Sequence, residues 1–428
     1  MPSVLDAFKP AQLPLKAPAP PRMFSSRAPT GSREFGDSAA VRQAIYDRVR
    51  TEAQAIKPVS NASGYTLQLA DVDYDDDEKD ISIADQKLAL LEKRNLSRSL
   101  RGTWQLVDDA SGEVLDNKRA TLARVPYFTN RGTFIRKGNE YTLSHQMRLR
   151  PGLYHRTKDN GELEAHVNVM GGRQQHLFLE PETGIFKMEV DKAKIPLVSV
   201  LRALGASDKE VRAAWGDLAA VNFQKSSPAD LSKIYKKFVS GGSATDARSR
   251  QEAIANAFAK MELDPRITER TLGKPYKHVT VESLLASSRK LLAIRNRDDP
   301  AALAKFGLEP AEADDRDSLA FMNFLGPEDL LAERISKARK RMHTELWKAT
   351  ARKNVQKIPV GLLGGGLDVG SAGWALSQPL EGINPAHIFE QQSRVSKMGE
   401  GGIGSARSVP TESRNVQSSH FGFIDPVM

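Results

Sequence analysis

Hydrophobic positions change their period along this chain. From Ser38 to about Lys57 the apolar residues Val41, Ala44, Ile45 and Val49 recur at helical spacing, and the next run, YTLQLADVDY from Tyr65, alternates as a strand does. GTWQLVDDASGEVLDNKRATLARVPYF holds two alternating segments across a D-D-A-S-G turn and predicts a hairpin. The stretch from Asn130 to Tyr154 is also strand-like, broken at RKGNE and RPG. IPLVSVLRAL (Ile195 to Leu204), SPADLSKIYKKFV behind Ser227, and ARSRQEAIANAFAKM behind Thr245 or Asp246 then predict helices. VESLLASSRKLLAIRN and GPEDLLAERISKARKRMHTELWKATARK predict longer amphipathic ones. The first third is therefore β-rich and the middle mostly helical, an α+β chain. After Pro359 the glycines of GLLGGGLDVGSAGW predict loops ordered by other surfaces. Residues 1–37, rich in Pro and Ala, lack the apolar core of a secretory signal and predict a flexible arm.

Composition narrows the chemistry. Among 428 residues there is no cysteine, which excludes cysteine catalysis, disulfides and thiolate metal sites. No apolar run reaches the length of a membrane span. Lys and Arg number 62 against 53 Asp and Glu, and the net charge of +9 favours a polyanionic partner.

Few motifs survive their context. MGEGGIG, Met398 to Gly404, spaces Gly399, Gly401 and Gly404 as a dinucleotide fingerprint, yet the preceding RVSKM is short and charged and SARSVPTESR has no helical period. A cofactor loop is not expected there. GGGLDVG lacks the lysine and hydroxyl of a phosphate loop, and DVDYDDDEKD places Asp76 and Ser82 where a calcium loop needs Gly and Glu, so it reads as a solvated turn. The histidines, His145, His155 and His166 included, show no ligand spacing and read as surface or hydrogen-bonding residues. Asp314, Asp315 and Asp317 read as a polar turn beside a helix rather than a magnesium site. Positive charge gathers at Arg148 and Arg150, and again from Arg339 to Lys357, where Arg341, Lys348 and Arg352 share roughly one helical face. That stripe reads equally as a track for backbone phosphates and as a solvated face.

Separated stretches together resemble one family. VPYFTNRGTFIRKGNEYTLSHQMRLRPG is similar to a conserved segment of the β subunit of multisubunit DNA-directed RNA polymerase, with Thr129, Gly132, Thr133, Phe134, Gly138, Glu140, Gln146, Pro151 and Gly152 in step. KIPLVSVLRALG and DDRDSLAFMNFLGPEDLL resemble two further segments. LSQPLEGINPAHIFEQQSRVSKMGEGGIG matches a fourth without a gap through Leu376, Ser377, Gln378, Asn384, Pro385, Arg394, Ser396, Gly399, Gly401 and Gly402, and RNVQSSHFG follows in register. The chain departs from the family at Glu381, at Pro379 and Gln391 (rifamycin-contact positions), at Glu400, where the family has proline, and at Ser405.

The resemblance implies an architecture. Residues 38–155 would be the first part of the protrusion, 156–344 the lobe, 345–394 the return of the protrusion with the RNA-side pocket, and 395–428 the start of the fork. Gln146, Gln378, Glu381, Asn384, Arg394 and Ser396 would line the pocket beside nascent RNA. Gly399, Glu400, Gly401, Gly402 and Arg407 would form the fork loop, with Glu400 repelling nucleic acid and leaving the loop more mobile or differently placed. Arg148, Arg150, Arg341, Lys348 and Arg352 are the candidates for backbone phosphates. No catalytic residue and no metal ligand are expected here, because the family's magnesium sits on an aspartate triad of the largest subunit. The expected role is that of a nucleotidyltransferase subunit, inactive alone. It would be the N-terminal half of a split β subunit, as large bacteriophages encode, and resistant to rifamycin. Its partners would be the β C-terminal half, β′-like subunits whole or split, template DNA and nascent RNA, in the bacterial cytoplasm or packaged in the virion. The alternative is a nucleic-acid-binding or virion-associated protein that keeps the β-subunit fold without catalysis.

Overall fold

Two hydrophobic cores organise the chain in the computed structural model, which describes residues 37–61, 64–75, 81–158, 160–169, 175–190, 193–227, 229–239, 246–316, 318–371 and 373–402. Arg407, Asp317, Gly404 and residues 1–36 of the expected arm lie outside these residues, while Asp37, expected in the arm, belongs to the start of the first helix.

The first core begins at α1 (Ser38–Gln54), which starts where the Asp37 carboxylate accepts the Ala39 and Ala40 N–H groups at 3.0 Å. Its buried face is Ile45, Tyr46, Val49 and Ala53. β1 (Val59–Ser60), β2 (Tyr65–Tyr74), β3 (Ser97–Asp108) and β4 (Val114–Pro126) form an antiparallel sheet in that order, with α2 (Ile83–Leu91) between β2 and β3. Trp104, Leu106 and Leu122 point from this sheet into the core. β5 (Phe134–Arg136), β6 (Asn139–Leu143) and β7 (His145–Leu149) follow.

The second core is a meander of β8 (Gly152–Thr157), β9 (Leu163–Asn168), β10 (Gln175–Leu179), β11 (Phe186–Val190) and β12 (Ala193–Pro196), every neighbouring pair antiparallel. Helices cover it: α3 (Leu197–Ala203), α4 (Asp208–Trp215), α5 (Leu218–Gln224), α6 (Asp230–Phe238), α7 (Ala247–Ala259), α8 (Pro265–Leu272) and α9 (Val281–Arg295), and α10 (Pro300–Phe306) follows them. The chain then returns. β13 (Met322–Leu325) pairs with β7, and α11 (Pro327–Ala351) lays Leu331 and Ile335 against the first core beside α1. β14 (Ser377–Pro379), α12 (Pro385–Ser393) and β15 (Val395–Ser396) end the description.

Several expectations need correction. The helix expected from Ile195 begins at Leu197, because a residue before proline avoids the helical region and Ile195–Pro196 complete β12 instead. Strands β9 to β11 and helix α12 were not predicted. Asp246 caps α7 through the Ser249 N–H at 3.1 Å, whereas α6 starts at Asp230, whose carboxylate accepts the Ser227 N–H at 3.0 Å. The glycine-rich stretch after Pro359 is ordered by this chain's own core: Leu363, Leu367, Val369, Trp374 and Leu376 are buried. The Gly361 and Leu363 N–H groups also donate to Thr121 and Leu122 carbonyls on the edge of β4, at 2.7 and 2.9 Å.

Candidate functional site

Two three-stranded sheets meet where the chain returns: β14-β6-β5 and β13-β7-β15. β15 runs parallel to β7, which sets Ser396 opposite Gln146. Gln146 is fully buried, and its Nε2 donates to the carbonyls of Met398 at 2.7 Å and Glu400 at 3.3 Å. Its Oε1 accepts from the Arg148 guanidinium. Gln146 therefore holds the glycine loop rather than facing a ligand, since both ends of its amide are already engaged. Ser396 Oγ accepts the Met398 N–H at 3.2 Å and supports the same turn.

The loop needs its glycines. Gly399 and Gly401 have φ of +98° and +88°, a backbone region that side chains avoid, and a Cβ on Gly401 would stand 2.6 Å from the Arg148 guanidinium carbon. The Gly402 N–H donates to the Gly399 carbonyl at 3.1 Å and closes the turn.

The remaining RNA-side residues gather beside it. Asn384 caps α12 by accepting the His387 N–H at 2.7 Å, with Pro385 at the first helical position. Arg394 clasps Glu390 through two hydrogen bonds, of 2.8 and 3.0 Å, and donates to Gln378 Oε1 at 3.3 Å. That double contact holds the Glu390 carboxyl below the usual carboxylate range. Glu381, Gln378 and Asn384 are exposed, as are Ile383 and Phe389. Gln391 is instead buried, its Oε1 accepting the Glu381 N–H at 3.2 Å, so it fixes the turn between β14 and α12.

The basic candidates divide. Arg150 is buried, with its guanidinium on the Met322 carbonyl at 3.2 Å and on Asp264 at 3.3 Å. It joins the two cores and, so engaged, is not offered to a phosphate. Arg148 is half-buried and binds Glu333 at 3.0 Å and the Glu400 carbonyl at 2.8 Å. Lys348 pairs with Glu345 at 2.8 Å on α11, and Arg352 is exposed just past its end. The Arg341 side chain lies outside the description.

Glu400 has partners within the chain. Its carboxylate is tied to α11, one oxygen 2.9 Å from Arg334 Nη1 and the other 3.1 Å from Lys337 Nζ, so the loop is pinned there rather than left mobile. Lys337 also binds Glu333 at 2.8 Å. Burial would raise the Glu333 carboxyl, but Arg148 and Lys337 outweigh it and hold the group below the usual range. Sequence reading missed these α11 partners, although Glu333 and Lys337 stand in the i, i+4 spacing of a helical ion pair.

A Ser–His–Asp grouping sits elsewhere. His155 Nδ1 lies 2.8 Å from Asp314 Oδ2 and Nε2 lies 2.8 Å from Ser287 Oγ, while Lys290 Nζ reaches Asp314 Oδ1 at 2.7 Å. His155 and Ser287 are 0% exposed, so no substrate reaches the hydroxyl and the cluster ties β8 to α9. Burial lowers the His155 pKa and keeps the ring neutral. Asp314, which burial alone would raise, is brought below its ordinary value by His155 and Lys290. Among the described residues no group of three or more His, Asp or Glu is arranged to hold a metal ion, and no helix is long and apolar enough to cross a membrane.

Comparison with known proteins finds distant, partial likenesses. The DNA-directed RNA polymerase subunit beta of Tropheryma whipplei is 24% identical over 368 residues, which is 78% of this chain and 31% of that protein. That of Listeria welshimeri is 27% identical over 271 residues, 57% of this chain and 22% of the relative. That of Syntrophomonas wolfei is 24% identical over 414 residues, 89% of this chain and 35% of the relative. The chain thus spans about a third or less of the length of these relatives. No protein-family model matches it.

Proposed function

We propose that this chain is a β-like part of a multisubunit DNA-directed RNA polymerase, and that it builds a wall of the nucleic-acid cleft without carrying the catalytic metal. The observation that carries the reading is similarity to bacterial β subunits along as much as 89% of the chain. The part built on the first core would be the protrusion and that built on the second the lobe. The face made by β14, α12, β15 and the glycine loop would look toward RNA and the separating DNA strands.

The chemistry follows from what the face offers. Exposed Gln378 and Arg394 supply polar contacts at the surface, while Gln146, Ser396 and Gln391 fix the backbone behind them. Exposed cations on and beyond α11, Lys348 and Arg352, would give sequence-independent attraction to phosphates that weakens as salt rises. The carboxylates that hold magnesium, and with them the phosphoryl-transfer step, would belong to another, largest subunit. The rest of the β surface and the β′-like subunits, template DNA and nascent RNA would be the partners. Rifamycin would act weakly, because Pro379 and Glu381 alter the exposed turn and Gln391 holds it in place.

Affinity purification from cells that make the tagged chain tests this. The expected result is recovery of the other polymerase subunits together with DNA-dependent, magnesium-dependent nucleotide incorporation. Recovery with nucleic acid but without those subunits or that activity would favour instead a binding protein that keeps the fold.

A further inference from the structure

The glycine loop carries an acid onto two bases that are otherwise well prepared for a phosphate. Arg334 is oriented before any ligand arrives: its guanidinium stacks 4.7 Å from the centre of the Trp374 ring, and Nη2 donates to the Gly373 carbonyl at 2.8 Å. Lys337 stands one helical turn further along α11. The two bases take one oxygen each of the Glu400 carboxylate, a bridging grip that equally suits the two non-bridging oxygens of a phosphodiester. If the Glu400 carboxylate leaves, the three cations Arg148, Arg334 and Lys337 face the single carboxylate Glu333.

Only the tip of the loop is free to lift once Glu400 leaves: Met398 stays on buried Gln146 and against the first core, whereas beyond Glu400 come Gly401 and Gly402, which have no side chain to anchor. The Glu400 side chain is itself half exposed, so a competing anion in solvent can reach the pair.

We propose that Arg334 and Lys337 form a phosphodiester-binding site on α11 that Glu400 occupies in the nucleic-acid-free chain, and that a backbone phosphate displaces the carboxylate and releases the loop. The proposal rests on the nucleic-acid reading above and adds to it a switch: the loop changes place when a strand arrives. Because one anion exchanges for another, the release is most favourable at low salt, where displaced counterions add to the gain.

The test uses the 428-residue chain and a fluorescent 20-mer of single-stranded DNA. Glu400→Gln should tighten binding several-fold, while Glu252→Gln, which removes one exposed charge on α7, should change it less than twofold. Glu400→Gln combined with Lys337→Ala should lose most of the gain. In the unmodified chain, hydrogen exchange at Gly401 and Gly402 should speed up when the 20-mer is added. Equal effects of Glu400→Gln and Glu252→Gln, or slower loop exchange with DNA, would overturn the switch while leaving nucleic-acid binding intact. Loop release by a poly-glutamate peptide at the same charge concentration would overturn the phosphate assignment. Absence of DNA binding by every variant at low salt would overturn the switch and the nucleic-acid reading together.

Discussion

Individual residues here take their roles from partners far away along the chain. Asp314 was legible as a structural carboxylate, but nothing in its neighbourhood shows His155, 159 residues earlier, as the group it holds. Glu400 reads as an unpartnered tip until Arg334 and Lys337 are placed beneath it, and no local charge argument supplies those partners. The buried histidine has a consequence for acid stability. The folded chain keeps His155 neutral while the unfolded chain takes up a proton at about pH 6.5, so stability is full above that value and declines as pH falls below it. His166, lowered to about 4 by burial and then by His176 and Arg316, adds in the same direction. Asp314 adds a separate loss at lower pH, as acid titrates it below the ordinary carboxylate range. His155→Gln should lower the thermal midpoint at pH 7 yet make it fall less between pH 6.5 and 5. An unchanged slope would mean that His155 does not stay neutral.

At the scale of elements, period and burial agree where one face is wet. YTLQLADVDY became β2 with the bounds its alternation gave, and the D-D-A-S-G hairpin became β3 and β4. β9 alternates strictly, Leu163, Ala165 and Val167 against Glu164, His166 and Asn168, so its signal was present and overlooked in a six-residue run; its polar face is buried too, because Glu164 pairs with Arg156 and His176. α12 escaped because it buries only Gln391 and so has no apolar stripe; its signal was the Asn384–Pro385 cap. α11 matters most to the proposed interface, since it joins the first core on one side and grips the glycine loop on another. Ile335 is fully buried in that core, one position from Arg334. Ile335→Ala should cost about 2–5 kcal/mol of unfolding free energy by the usual range for such truncations, measured by denaturant titration. A loss near zero would show that α11 is not held by this packing.

For the molecule as a whole, the sequence disclosed an α+β chain and a resemblance, and folding supplied the arrangement. Residues separated by some 250 positions, Gln146 and the loop at Met398 to Glu400, are joined because the chain leaves the first core at Arg150, builds the second, and returns along β13. No periodicity in the sequence reports that return. The resemblance had placed Gln378, Arg394 and Ser396 in one pocket, and the two return sheets bring them close to Gln146, with Gln146 and Ser396 buried as supports and Gln378 exposed.

The central claim, that this face borders nascent RNA in a transcribing complex, is tested most directly by photocrosslinking. A photoreactive side chain would be introduced at exposed Gln378 or Ile383, and for comparison at Val221 on α5, and the assembled polymerase allowed to transcribe with radiolabelled nucleotides. The account predicts that labelled RNA is transferred to the chain from positions 378 and 383 and not from 221. RNA transfer from 221 alone, or none from 378 and 383 in complexes that are making RNA, would contradict it.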